Sequence, residues 1–422
     1  MANSNHIVLQ ATLLLIFISF SFSSAHFHNE SHGPSHEATH TPIPTPPPPH
    51  DVEPPPNSNQ TSVDYKGCWS KVYAFGDSST DTGNGYLIGG LKSYASASFS
   101  KSFYSSSSGR LSGHRLSNGR LIVDHLTDAL AVSSLTPYKS SSVSASYSGS
   151  INFAIAGTST LSRDYFYNND IGHTFMWSRV PESYQTQLDW FSTYLLERSK
   201  RQGAEACRND VANSLFWVGG VGGNDYIRMY GSSSSINSRM LSDLSVAHVS
   251  KIIKTLLSRG AQYIVVQGLP PLGCLPSQLS MSPLTDRDKW GCSKITNAMI
   301  RIHNSLLRHR LDHFRRRYPY AVIAYADTYA AYEAILSNYQ EYHFREPFKA
   351  CCGSHEDGAF DFDIHCLCGS SGSTTCQDSS TYMSWDGIHF TDAMNGRLTD
   401  LFLNKGYCQP SFEDLARKKR GI

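Results

Sequence analysis

The chain has 422 residues, a net charge of +1 and only 17% charged residues. That balance excludes a binder held to nucleic acid by electrostatics, since basic clusters with interleaved aromatics are absent. Arg315-Arg316-Arg317 reads as a solvated helix face and Lys418-Lys419-Arg420 as a fraying basic tail, residues 416–422.

The N-terminus opens with an apolar stretch from Ile7 to Phe22, followed by the small residues Ser23-Ser24-Ala25. Residues 1–25 therefore read as a secretory signal peptide, although its start carries His6 in place of lysine or arginine. The apolar run is too short and too serine-flecked for a membrane anchor, and no later segment is longer. Residues 26–66 change character, with Pro46 through Pro49, Pro54 through Pro56, and histidines 26, 28, 32, 36, 40 and 50. Such a segment builds no core and reads as an extended, disordered linker. His32, His36 and His40 share a helical spacing, but the surrounding prolines oppose the helix a metal site would need. Two glycosylation sequons, at Asn29 and Asn59, fall in this exposed stretch.

From Cys68 onward, short apolar runs alternate with longer amphipathic ones. Strands are predicted at Val72–Phe75, Ile151–Ile155, Ser214–Val218, Tyr263–Gln267 and Val322–Tyr325. Helices are predicted over Leu121–Leu130, Tyr184–Glu197, Val246–Leu257, Ile295–Tyr318 and Thr391–Leu403. On the long helix, His303, His309 and His313 read as exposed positions. Strands separated by helices of ten or more residues require crossovers, hence a mostly parallel sheet covered on both faces. The economical architecture is a five-stranded, three-layer α/β/α sandwich, one domain over residues 67–415.

Ten cysteines suit an oxidising compartment, five of them crowded between Cys351 and Cys376. Cys366-Leu367-Cys368 lacks the paired C-x-x-C hooks of a zinc site, so disulfides are expected, with the pairing left open.

The chemistry lies at the ends of these elements. Phe75-Gly76-Asp77-Ser78 ends the first strand, which places the Ser78 hydroxyl at the carboxyl edge of the sheet. A serine there often only caps a helix, and it is a poor nucleophile without a base and an oxyanion site. Ser384-Trp385-Asp386-Gly387-Ile388-His389 supplies a base, because Asp386 can curl back onto the His389 ring through the intervening glycine. Phe216-Trp217-Val218-Gly219-Gly220-Val221-Gly222-Gly223-Asn224-Asp225 is a buried strand running into glycines that let backbone approach a ligand closely. Asn224 would offer a side-chain amide to an oxyanion, and Ser117-Asn118-Gly119-Arg120 would offer the Gly119 N–H. No G-x-S-x-G elbow occurs, which argues against the ordinary α/β-hydrolase arrangement.

Four such blocks in this order resemble the GDSL esterase/lipase family, the plant-type branch of the SGNH hydrolases, over nearly all of residues 71–405. Asn152-Phe153-Ala154 with Gly157, the loop Gly268-Leu269-Pro270-Pro271-Leu272-Gly273-Cys274-Leu275-Pro276, and Lys349-Ala350-Cys351-Cys352-Gly353 extend the likeness. The sequence departs from the family at Ser79-Thr80 and in a serine-rich stretch at 92–108. The resemblance implies a flavodoxin-like sheet of the SGNH hydrolase type. It makes Ser78 the nucleophile, His389 the base and Asp386 its orienter, with Ser78, Gly119 and Asn224 forming the oxyanion hole. It implies a secreted ester hydrolase that needs no cofactor or metal, acting on a small or polymeric ester, with oligomeric state left open. An acyltransferase using the same acyl-enzyme is the nearest alternative, separable only by its products. A non-catalytic carbohydrate or cell-wall binder is the other, and it would not depend on Ser78.

Overall fold

In the computed structural model, the residues described are 63–89, 114–169, 183–229, 238–354 and 359–422. The expected signal peptide, the linker, both sequons and the serine-rich stretch at 92–108 lie outside them. All described residues belong to one compact unit, Pro55–Ile422.

The central sheet contains β1 (Val72–Gly76), β2 (Thr136–Pro137), β3 (Ile151–Asn152), β4 (Leu215–Gly219), β5 (Tyr263–Gln267), β6 (Val322–Ala326) and β11 (Cys408–Gln409). Its order is β11-β6-β5-β4-β1-β3-β2, and every pair is parallel except β11 against β6. The five predicted strands are its centre, although the one expected over Ile151–Ile155 is a strand only at Ile151–Asn152. Two further edge strands bring the sheet to seven, each only two residues long and so without an apolar period to read. Four short strands lie outside it: β7 (Glu346–Ala350) pairs with β10 (Tyr382–Ser384), and β8 (Cys352–Gly353) with β9 (Thr374–Thr375).

The strand sequences explain the layers. Along β1, Val72 and Ala74 face one core while Tyr73 and Phe75 face the other, and Leu215 and Trp217 alternate with Phe216 and Val218 along β4. The first core is closed by helices α1 (Ile122–Leu130), α7 (Thr328–Ser337), α8 (Asp392–Asn404) and α9 (Phe412–Arg420). The second is closed by α2 (Tyr184–Gln202), α3 (Ala204–Asn213), α5 (Ser238–Ser258) and α6 (Lys294–Arg317). A short helix, α4 (Gly223–Met229), follows β4 directly.

Two expectations are corrected. The C-terminal basic run is not a fraying tail. Phe412, Leu415 and Ala416 share the buried stripe of α9, and Lys419 Nζ donates to Asn213 Oδ1 while Arg420 donates to the Asp64 carbonyl, both at 2.6 Å. His309 and His313 are exposed, but His303 is fully buried because it points under the end of β4, where Gly222 leaves room for its ring.

Three disulfides resolve the open pairing: Cys274–Cys292, Cys351–Cys376 and Cys352–Cys368. Among the other described cysteines, Cys68, Cys207 and Cys408 are buried thiols and Cys366 is half-buried.

Candidate active site

In the five central strands, the chain runs from β1 outward to β3, then returns to the other side of β1 with β4. An open α/β sheet binds ligands in the crevice at such a reversal, beyond the carboxyl ends of the strands. Ser78 follows β1 and Asn224 follows β4, so both stand at that crevice. The strand ends approach closely. Gly76 pairs with Gly219, and a Cβ on Gly76 would run into the Gly219 carbonyl and the Thr80 side chain.

The turn after β1 is held by carboxylates. Asp77 Oδ1 accepts from the Ser79 amide at 3.0 Å and the Ser79 hydroxyl at 2.7 Å. Asp81 accepts from the amides of Gly83, Asn84, Gly85 and Ala156, at 2.7 to 2.8 Å. The Asn152 block has a mechanical explanation: Asn152 Nδ2 donates to the Thr80 carbonyl, and Asn84 Nδ2 donates to the carbonyls of Asn152 and Ala154.

His389 arrives from the far end of the chain. Asp386 Oδ1 accepts from the amides of Ile388 and His389 at 3.0 and 2.8 Å, closing a tight turn. Gly387 sits in that turn at φ 90°, where a side chain would also strike the Phe362 ring. The other carboxylate oxygen, Oδ2, lies 2.7 Å from His389 Nδ1, and His389 Nε2 lies 2.8 Å from Ser78 Oγ. Disulfides brace this presentation: the amides of Cys351 and Cys352 donate to the carbonyls of Ser384 and Trp385, while their sulfurs are bonded to Cys376 and Cys368. Burial alone would raise the Asp386 carboxyl. The adjacent His389, by charge and hydrogen bond, outweighs it and holds the carboxyl below its ordinary range.

Asn224 opens α4 and lines the same cavity as Ser78 and His389. Its Nδ2 donates one hydrogen to the Thr158 carbonyl at 2.9 Å, which fixes the amide and leaves its second hydrogen. Gly119 is placed differently. Leu116, Leu121 and Ile122 of its segment line the cavity, but Gly119 does not, and a Cβ there would collide with Asp392. Neither the Ser78 nor the Gly119 backbone N–H donates to a protein acceptor among the described residues.

Sequence reasoning missed Gln187. It accepts from Gly76 N at 3.0 Å, donates to the Gly76 carbonyl at 2.7 Å and reaches Thr158 Oγ1 at 3.0 Å. One side chain thus ties the end of β1 to the residue that orients Asn224. The signal was present, since Gln187 interrupts the otherwise apolar stripe of Tyr184, Leu188, Phe191 and Leu195. Asp225 and His303 were also missed. Asp225 accepts from Thr160 and Leu161 amides and from Ser245 Oγ. His303 Nδ1 lies 3.0 Å from the Tyr226 hydroxyl, which itself donates to Ser242, so Nδ1 is the donor of that pair. Burial pushes the His303 ring down to about 3, and it stays neutral.

Among the described residues no group of three or more His, Cys, Asp or Glu side chains is placed to hold a metal ion. No helix there is long and apolar enough to cross a membrane.

Burial pushes the Asp77 carboxyl up from 3.8 to about 6, against the hydrogen bonds from Ser79. The folded state therefore holds this proton in a window where the unfolded chain has lost it. Stability from this group is highest below pH 4 and falls as pH rises through 6, by about 3 kcal/mol in all. Asp77→Asn keeps an acceptor for Ser79 but cannot ionise. It is expected to unfold at a higher temperature than wild type at pH 7.5, with the gap closing toward pH 4 in thermal melts.

A serine, a carboxylate-held histidine and a side-chain amide thus meet at the switch point of a flavodoxin-like sheet, the architecture of the SGNH hydrolase fold. The family model for GDSL-like lipase/acylhydrolase matches residues 72–402. A GDSL esterase/lipase of Arabidopsis thaliana is 34% identical, covering 83% of this chain and 90% of its own length. Acetylajmalan esterases 2 and 1 of Rauvolfia serpentina are 32% and 31% identical, each over 79% of this chain and over 90% and 86% of their own lengths. The chain belongs to the GDSL lipase/acylhydrolase family and is a carboxylic ester hydrolase.

Proposed function

We propose that this protein is a secreted serine esterase that works through an acyl-enzyme on Ser78. The reading rests above all on the relay from Asp386 Oδ2 through the His389 ring to Ser78 Oγ, with steps of 2.7 and 2.8 Å. His389 Nε2 takes the Ser78 proton as Oγ attacks the ester carbonyl. Asp386 keeps the other ring proton on Nδ1 and stabilises the imidazolium. The oxyanion is held by the Ser78 N–H and the second hydrogen of Asn224 Nδ2, whereas Gly119, which stands outside the cavity lining, is left out of this role. His389 then protonates the departing alkoxide, and a water molecule, deprotonated by the same ring, releases the acid.

The three disulfides favour an oxidising destination, in keeping with residues 1–25 as a signal peptide, 26–66 as a linker and the hydrolase domain from 67 onward. Two relatives are named acetylajmalan esterases, which favours an acetyl ester as the substrate here. Stopped-flow hydrolysis of p-nitrophenyl acetate tests the mechanism. Wild type should release a burst of one nitrophenol per active site, and Asn224→Ala should slow that burst about 10²- to 10³-fold. A linear release with no burst, and no effect of Asn224→Ala, would contradict it.

A further inference from the structure

The cavity at Ser78 is small and mostly apolar, about 60 Å³, with Leu116, Ile227, Leu269, Leu272, Leu275 and Phe390 among its walls. A cavity of about 150 Å³ with such a lining accepts the six carbons of benzene, or roughly 25 Å³ per carbon. The space here therefore suits two or three carbons. In the acyl-enzyme the alcohol has left and the acyl group remains on Ser78, held against these apolar walls.

Whether a small cavity selects depends on whether its wall can yield, and this wall is pinned along its length. Asn304 accepts from the Leu269 amide at 2.9 Å and donates to the Leu269 carbonyl at 2.8 Å. Asn297 Oδ1 accepts from the Gly273 amide at 2.9 Å, and the Gly273 carbonyl accepts from Ser293 N at 2.8 Å. Cys274 is bonded to Cys292, at the foot of α6. On the other side the Ser277 amide donates to the Gly387 carbonyl, inside the turn that carries His389. Moving the leucines outward would break bonds to α6 and disturb the histidine.

We infer that Leu269, Leu272 and Leu275 form a fixed acyl stop, which restricts this enzyme to esters of acids with two or three carbons. The inference rests on Ser78 being the acylated residue. It assigns chain-length selectivity to the loop between β5 and α6, and it leaves the alcohol side unrestricted.

The test is kcat/KM of the full chain for p-nitrophenyl acetate, propionate, butyrate, hexanoate and octanoate, beside Leu272→Ala and Leu275→Ala. Wild type should lose at least ~10-fold between propionate and hexanoate, the scale of a misfitted methylene in an apolar pocket. The variants should raise the hexanoate-to-acetate ratio ~10-fold or more. Equal wild-type rates on acetate and octanoate would overturn the acyl stop, and so would folded variants with an unchanged ratio. If the variants fail to fold, the wild-type profile decides alone. Labelling of Ser78 by a methyl organophosphonate separates the two readings. Labelling with a flat profile sinks only the acyl stop, whereas failure of both labelling and hydrolysis sinks the serine mechanism.

Discussion

Ser78→Ala and His389→Ala are each expected to lower kcat on p-nitrophenyl acetate by roughly 10⁴- to 10⁶-fold. The two side chains act as one unit. Ser78 Oγ reaches a useful nucleophilicity only as its proton passes to His389 Nε2, 2.8 Å away, so removing either end removes the same step. The double variant should therefore be scarcely slower than either single one. What activity remains belongs to the oxyanion donors and to binding. Ser78→Ala should cost little stability, whereas His389→Ala leaves the buried Asp386 carboxyl without its ring partner and should melt lower. Steady-state kinetics on folded variants check this. A single variant that kept a tenth of wild-type kcat would contradict the assigned roles.

Asp386→Asn is expected to cost about 10⁴-fold in kcat at neutral pH, with little change in KM. The reason lies in which oxygen is tethered. Oδ1 already accepts from the Ile388 and His389 amides, so an asparagine must keep its oxygen there and turn its NH₂ toward His389 Nδ1. Two donors cannot face each other. The ring proton then moves to Nε2, and the nitrogen facing Ser78 can no longer accept a proton. Loss of charge adds to this, since the buried carboxylate no longer balances the imidazolium. The kcat of Asp386→Asn on the same ester checks the prediction. A fall of less than ten-fold would mean that Asp386 does not set the tautomer.

Much of this arrangement was legible in the sequence, because it is carried by local signals. Four of the five central strands are continuous apolar runs of five residues, and Val72–Gly76, Leu215–Gly219 and Tyr263–Gln267 lie within a residue of their expected limits, whereas β3 keeps only Ile151–Asn152. Ser78, Asp386 and His389 stood out because the Gly-Asp-Ser and Asp-Gly-Ile-His blocks sit at element ends, and the fold brings them together across 311 residues. The edge strands Thr136–Pro137 and Cys408–Gln409 were not legible, since two residues carry no periodicity. Helix α9 was read as a tail because four basic residues mask the three-residue apolar stripe on its inner face. The disulfide pairing depended on where β7 to β10 fold back on one another, which spacing does not encode. His303 and Gln187 share a different cause. Each is a polar residue on the buried face of a helix, and only the contacted loop reveals that His303 fills the space under Gly222 and that Gln187 clamps Gly76. Gly119 shows the converse: its motif is clear, yet its Cα faces Asp392 and its neighbours form the cavity wall.

The claim that most of this account hangs on is that Ser78 carries the acyl group. Incubating the protein with a methyl p-nitrophenyl phosphonate, then mapping the adduct by peptide mass spectrometry, measures this directly. The account predicts one phosphonyl group per chain, on Ser78, appearing at the rate at which esterase activity is lost and much more slowly in His389→Ala. A stoichiometric adduct on another residue, or full ester hydrolysis by protein whose Ser78 is completely modified, would contradict it.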